Sequence, residues 1–131
     1  MASIRYHARI NRSPDEVWAL VSDAGGLDTW FPGVDACTFD GEVRTVSTMG
    51  IEIEERVVLS DPDLRRFQYT IVGGPMVPEH HLATIDVLED GDGSLLVYAC
   101  DVRPDDAVAL LAPVYESATR AVKDHLEGTS G

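Results

Sequence analysis

A chain of 131 residues with 44% apolar and 25% charged side chains has the composition of an ordinary globular protein, and one domain accommodates residues 1–131. Its formal net charge of −13, from 23 acidic against 10 basic residues, argues against nucleic acid or an anionic membrane surface as partner. No apolar run approaches the length of a membrane span and no charged-then-apolar leader opens the chain, so membrane insertion is not expected and a cytoplasmic location is.

The first predicted element is a strand in which Ile4, Tyr6, Ala8 and Ile10 alternate with Arg5, His7 and Arg9, placing His7 toward solvent. Ser13-Pro14-Asp15-Glu16 then combines an N-cap, a proline at the first helical position and a glutamate three residues after the cap. Val17, Trp18, Leu20 and Val21 give the buried face of a short helix expected to end near 24–26. Residues 27–33 form a turn or second helix carrying Trp30 and Phe31, which either plug the core or close a cavity.

A strand over 35–39 turns at Asp40-Gly41 into 42–48, and Met49-Gly50 turns that strand into 51–59. The second turn pairs Thr48 with Ile51, Val46 with Ile53 and Arg44 with Glu55; the first sets Cys37 opposite Arg44. Alternation puts Val46, Ile51, Ile53, Val57 and Leu59 on one face with Arg44 and Glu55. An ion pair on an otherwise apolar face is either a structural pair that fixes hairpin register or the polar end of a ligand cavity.

After a polar turn at 60–63, a strand over 66–72 carries Phe67, Tyr69 and Ile71 on one face. Residues 73–78, with two glycines and two prolines, are expected as a loop at one end of the sheet. The next strand carries His81, Ala83, Ile85 and Val87 on one face, with His80 on the other. An acidic turn at 90–93 leads to a last strand over 95–102, in which both the Leu96/Tyr98/Cys100/Val102 face and the Leu95/Val97/Ala99/Asp101 face are apolar enough to point inward. Pro104-Asp105-Asp106 opens a long amphipathic helix through Val108, Leu111, Tyr115, Ala118, Val122 and Leu126, in which Pro113 either makes a kink or divides a loose first turn from the main body. Residues 128–131 read as a frayed end. The order is therefore α+β: strand, one or two short helices, six more strands and a long C-terminal helix. An antiparallel sheet of about seven strands must curl, and a single helix in its concave side leaves room for a small apolar molecule.

This order resembles the helix-grip superfamily of START domains, birch-pollen-allergen-type proteins and bacterial polyketide cyclase/dehydrase-like proteins. The resemblance spans nearly the whole chain. It is carried by Ser13-Pro14-Asp15-Glu16-Val17-Trp18 after the first strand, Asp23, Trp30-Phe31-Pro32-Gly33-Val34, and Gly41 with Arg44-Thr45-Val46. Glu55-Arg56 with Asp61, the Tyr69 strand, the Pro75 to Pro78 segment and the final helix complete it. The bacterial branch is the nearer one, because only Asp40-Gly41-Glu42 stands where the allergens have a glycine-rich loop. In that branch an aromatic often occupies the place of His81 and a tryptophan that of Tyr98, so this interior is expected to be more polar. The resemblance implies a hydrophobic cavity between sheet and helix, binding a polyketide-, isoprenoid- or lipid-like molecule as a carrier or sensor, or converting it as a cofactor-free cyclase or dehydratase.

The acid/base candidates are His81, Glu55, Arg44 and Tyr69. Arg44 would orient a carbonyl or enolate oxygen, and Glu55 would fix it or move a proton. A carboxylate beside an arginine has a lowered pKa and makes a poor base unless desolvated. Expected ligand contacts are Trp30, Phe31, Cys37, Val46, Ile53, Val57, Phe67, Ile71, Met76, Tyr98, Cys100, Leu111 and Tyr115. Each has a purely structural alternative in core packing or backbone hydrogen bonding. Cys37 and Cys100 read as two buried thiols, with a disulfide as the alternative. No metal is expected, since His80 and His81 face opposite ways on a strand, and no cofactor is expected because phosphate-loop and dinucleotide motifs are missing. A monomer or homodimer is expected, and an interaction module with a vestigial cavity is the remaining alternative.

Overall fold

The computed structural model describes Met1 to Gly128; the end expected to fray lies, beyond Gly128, outside the described residues. Seven strands form one antiparallel sheet: β1 (Ala2–Ile10), β2 (Val34–Phe39), β3 (Val43–Thr48), β4 (Ile51–Asp61), β5 (Arg66–Gly73), β6 (His80–Asp90) and β7 (Gly93–Arg103). Their spatial order is β1-β7-β6-β5-β4-β3-β2, so the first two strands in the chain form the two edges. Two α-helices accompany them, α1 (Pro14–Val21) and the long C-terminal α2 (Val108–Glu127). The α+β, helix-grip architecture is the one expected.

Local chemistry explains most of the boundaries. The Ser13 hydroxyl accepts from the Glu16 amide at 3.2 Å and donates to the Glu16 carboxylate at 3.1 Å, which starts α1. The helix ends at Val21, earlier than expected, and a separate 3-10 turn (Ala24–Thr29) carries the chain onward. Met49 and Gly50 both have positive φ, 48° and 79°, the backbone of a tight hairpin turn. The β3–β4 register is therefore the expected one, with Arg44 opposite Glu55, Val46 opposite Ile53 and Thr48 opposite Ile51.

The preceding hairpin differs. The Asp40 side chain accepts from the Glu42 and Val43 amides, both at 2.8 Å, which lengthens the connection. Cys37 consequently pairs with Val46 instead of Arg44, and Phe39 takes the place opposite Arg44. The shift is two residues, so Cys37 keeps the expected face.

Alternation elsewhere is clear. His81, Ala83, Ile85 and Val87 are buried along β6, and Leu96, Tyr98, Cys100 and Val102 along β7. The inward face of the last strand is thus the tyrosine-bearing one. Asp101 faces out and accepts from the Ser3 hydroxyl at 2.6 Å. Bulges at Glu54/Glu55 and Val57/Leu59 interrupt the β4–β5 ladder, a device that bends and twists a strand.

Helix α2 packs across β1 and β7, with Tyr115, Ala118, Thr119 and Val122 buried beneath it. Pro113 lies inside this helix; the division expected near it falls earlier, where a 3-10 turn (Asp105–Ala107) meets Val108. The helix ends at Gly128 in the left-handed conformation, φ 65°.

Candidate functional site

The chemistry-bearing residues collect where β5 and β6 part. These strands pair only from Arg66 with Asp86 to Tyr69 with Ala83. Beyond Tyr69 the His81 side chain stands between them. Its Nδ1 accepts the Ile71 amide at 3.2 Å, and the Thr70 hydroxyl donates to the His81 carbonyl. An imidazole nitrogen thus does what a carbonyl oxygen does in a regular ladder.

This contact fixes the tautomer. With Nδ1 accepting, the proton resides on Nε2, which donates to the Tyr115 hydroxyl at 2.7 Å. Burial, helped by the neighbouring His80, lowers the His81 pKa from 6.5 to about 4. The ring is therefore neutral near pH 7, with both nitrogens engaged. It has no free lone pair with which to act as a base.

The same pattern holds for its neighbours. The Tyr69 and Tyr98 hydroxyls bond to one another, and both side chains are fully buried. The Tyr98 and Tyr115 rings lie 5.0 Å apart, and the Tyr69 ring 5.9 Å from His81. Burial raises the pKa of all three phenols, so each keeps its proton at neutral pH.

Arg44 is 1% exposed, the largest fully buried side chain. Its Nε donates to Glu55 Oε1 at 2.7 Å, and its guanidinium lies 4.5 Å from the Tyr69 ring centre and 5.6 Å from that of Phe67. Desolvation lifts the Glu55 carboxyl above its ordinary value, and the Arg44 charge and hydrogen bond pull it only part of the way back. The lowered value expected for a carboxylate beside an arginine is therefore reversed by burial.

The remaining residues marked by the sequence range from core to surface. Trp30, Val46, Phe67 and Cys100 are core residues, while Phe31, Cys37, Val57 and Leu111 pack against that core partly buried. Ile53 and Ile71 are half-buried, and Met76 is exposed. Both thiols are free, which removes the disulfide alternative. Burial raises each, the Cys100 thiol to about 11. The Trp30 Nε1–H is buried with no hydrogen-bond partner among the described residues.

Two depressions flank the 74–79 loop. One, of about 480 Å³, opens on the outer face of the sheet above Arg56, Val58, Thr70, Val72, His80 and Leu82. The other, of about 380 Å³, lies between this loop and the start of α2, where Ile71, Met76, Val77, Pro78, Leu110 and Leu111 make an apolar mouth. Its size is within the range of small-molecule sites, about 300–1,000 Å³. Ile71, Met76 and Leu111 are among the ligand contacts expected from the sequence, Val77 and Pro78 belong to the 73–78 loop whose glycines suit it to gate an entrance, and Leu110 is not marked by the sequence. Leu110 is 55% exposed, and the one sequence signal for it is a large apolar side chain lying outside the buried stripe of α2.

Among the described residues, no group of three or more histidine, cysteine, aspartate or glutamate side chains could hold a metal ion, and no helix is long and apolar enough to cross a membrane.

Comparison with solved structures places this architecture among known ones. XoxI from Bacillus cereus superposes with a TM-score of 0.89 at 25% identity, covering 100% of this chain and 99% of that one. A START superfamily protein from Mycobacterium smegmatis gives 0.80 at 16% identity, over 98% and 99% of the two chains. Norcoclaurine synthase from Thalictrum flavum gives 0.74 at 19%, over 98% and 96%. No curated protein matches the chain. A family model described as polyketide cyclase / dehydrase and lipid transport matches residues 1–127, and the protein therefore belongs to that family.

Proposed function

We propose that this protein binds a hydrophobic small molecule, polyketide-, isoprenoid- or lipid-like, at the mouth between the 74–79 loop and α2, as a non-catalytic carrier or sensor. One observation carries the reading: apolar side chains at the mouth are left to solvent, with Met76 55%, Val77 47% and Leu110 55% exposed, while the polar groups behind them satisfy one another. An apolar depression with unpartnered lining gains from removing its surface from water. The family membership and the helix-grip fold support ligand binding of this class. We place the protein in the cytoplasm, on its free thiols, and as a monomer or homodimer.

A second reading is favoured by a separate observation. The partnerless Trp30 Nε1–H is a buried donor that a substrate oxygen reaching the interior would satisfy. In that case the protein would be a cofactor-free cyclase or dehydratase. Arg44 and Tyr69 would orient the oxygen, and Glu55 or His81 would move the proton after their present partners are displaced.

Native mass spectrometry of the freshly purified protein tests the first reading. A co-purified apolar species, released by Leu110→Glu and retained by His81→Gln, is the expected result. Turnover of a bound polyketide-type substrate that is abolished in His81→Gln would replace the carrier with the enzyme.

A further inference from the structure

The apolar mouth has a charged rim of one sign. Glu79 and Asp106 line it together with the apolar side chains, and no arginine, lysine or histidine does. Neither carboxylate has a hydrogen bond or ion pair with another described residue, whereas the adjacent Asp105 is engaged by the N-terminal amine at 3.1 Å. The basic residues nearest in sequence, His80 and Arg103, are exposed partners across β6 and β7, on strand positions that alternate away from the buried His81 and Val102. In the interior, the one buried guanidinium is already neutralised by Glu55. Arg56 and His80 line the neighbouring depression on the outer face of the sheet, which shares Glu79, but no basic side chain lines the mouth itself, so an anionic headgroup seated there meets carboxylates alone.

We infer that the mouth selects amphiphiles with a cationic head: an ammonium group on an apolar body. This rests on the mouth being the ligand site. The body would lie on Ile71, Met76, Val77 and Leu111, and the ammonium would project to Glu79 and Asp106 at the rim. A carboxylate or phosphate head would meet two like charges there, and a neutral head would gain nothing from them. The net charge of −13 acts in the same direction at longer range, concentrating cations near the surface and excluding anions.

Octylamine, octanol and octanoate share one chain and differ only in the head, so titrating each near pH 7 separates the contributions of body and charge. At low salt octylamine should bind about tenfold tighter than octanoate, with octanol between them. The gap should narrow as salt is raised, and in the Glu79→Gln/Asp106→Asn double variant. Methyl signals of Leu110, Leu111 and Met76 should move with all three probes. Equal affinities, a preference unchanged in the double variant, or octylamine shifts that spread over the acidic surface and miss those methyls would overturn the cation preference and leave the apolar mouth standing. If none of the three binds, the apolar mouth itself is overturned, and the cation preference with it.

Discussion

The interior cluster and the mouth lie back to back across Ile71, and they are opposite in character. In the interior, Arg44, Glu55, Tyr69, Tyr98, Tyr115 and His81 are polar groups enclosed by apolar packing, each with a partner inside the protein. At the mouth, Met76, Val77 and Leu110 are apolar groups facing water with no partner at all. Residue chemistry alone ranks the interior as the functional centre, because it contains the histidine, the ion pair and the tyrosines. Satisfaction reverses the ranking. A buried polar group that is already paired loses by exchanging its partner, while an exposed apolar group gains from any cover.

If the interior is scaffold, damage there should appear as lost stability. The largest effect is expected from Arg44→Met, which leaves the Glu55 carboxylate buried and unpaired and should cost about 3–5 kcal/mol in urea unfolding. Replacing both partners, as Arg44→Met/Glu55→Gln, should recover much of that loss. A double variant as unstable as the single one would break the account of the pair.

The next effect is a pH dependence. The native state holds the His81 pKa near 4 while the unfolded chain has it near 6.5. Between these values the unfolded chain binds a proton that the native state refuses, so stability falls as pH drops through this window, by about 3 kcal/mol from this residue. Glu55, shifted upward, favours the folded state at low pH and loses that contribution as pH rises through its native value. The difference between wild-type and His81→Gln stability curves from pH 7 to 4 isolates the histidine: the variant should lack its share of the slope. Parallel curves would show that His81 is not held neutral.

A smaller loss is expected from Tyr69→Phe, which removes one of two hydroxyls that satisfy each other and strands that of Tyr98, for about 1–3 kcal/mol. Tyr69→Phe/Tyr98→Phe should cost less than the sum of the single changes, and additivity would argue against direct coupling. Smallest of all, Met76→Ala and Leu110→Ala should leave stability within about 0.5 kcal/mol of wild type. A large loss at either would make the mouth part of the scaffold and erase the contrast.

How far the sequence reached depends on the distance over which each feature is determined. The β3–β4 register is legible because a two-residue turn with glycine at its second position determines every opposite pair that follows. The β2–β3 register is not, because Asp40-Gly41 fits two local turns, and the Asp40 side chain selects the longer one by capping the Glu42 and Val43 amides. The inward face of β7 was undecided while both faces were apolar. Pairing of Tyr6 with Tyr98 and Ile4 with Cys100 decides it, through contacts almost the length of the chain apart. The composition of the site is legible in part: the sequence marks Arg44, Glu55, Tyr69 and His81, but not that the Tyr115 hydroxyl of α2 completes the cluster by accepting the hydrogen bond of His81 Nε2–H. Leu110 escaped because periodicity finds residues that pack, and Leu110 does not.

If ligand affinity resides at the mouth and fold stability in the interior, mutations separate the two. The affinity of a neutral apolar probe, N-phenyl-1-naphthylamine, read by its fluorescence in wild type, Met76→Glu/Leu110→Glu and His81→Gln, tests this most directly. The mouth variant should bind at least about tenfold more weakly while remaining as stable as wild type, and folded His81→Gln should bind about as well as wild type. Unchanged affinity in the mouth variant, with binding lost in folded His81→Gln, would contradict the claim and move the site inside.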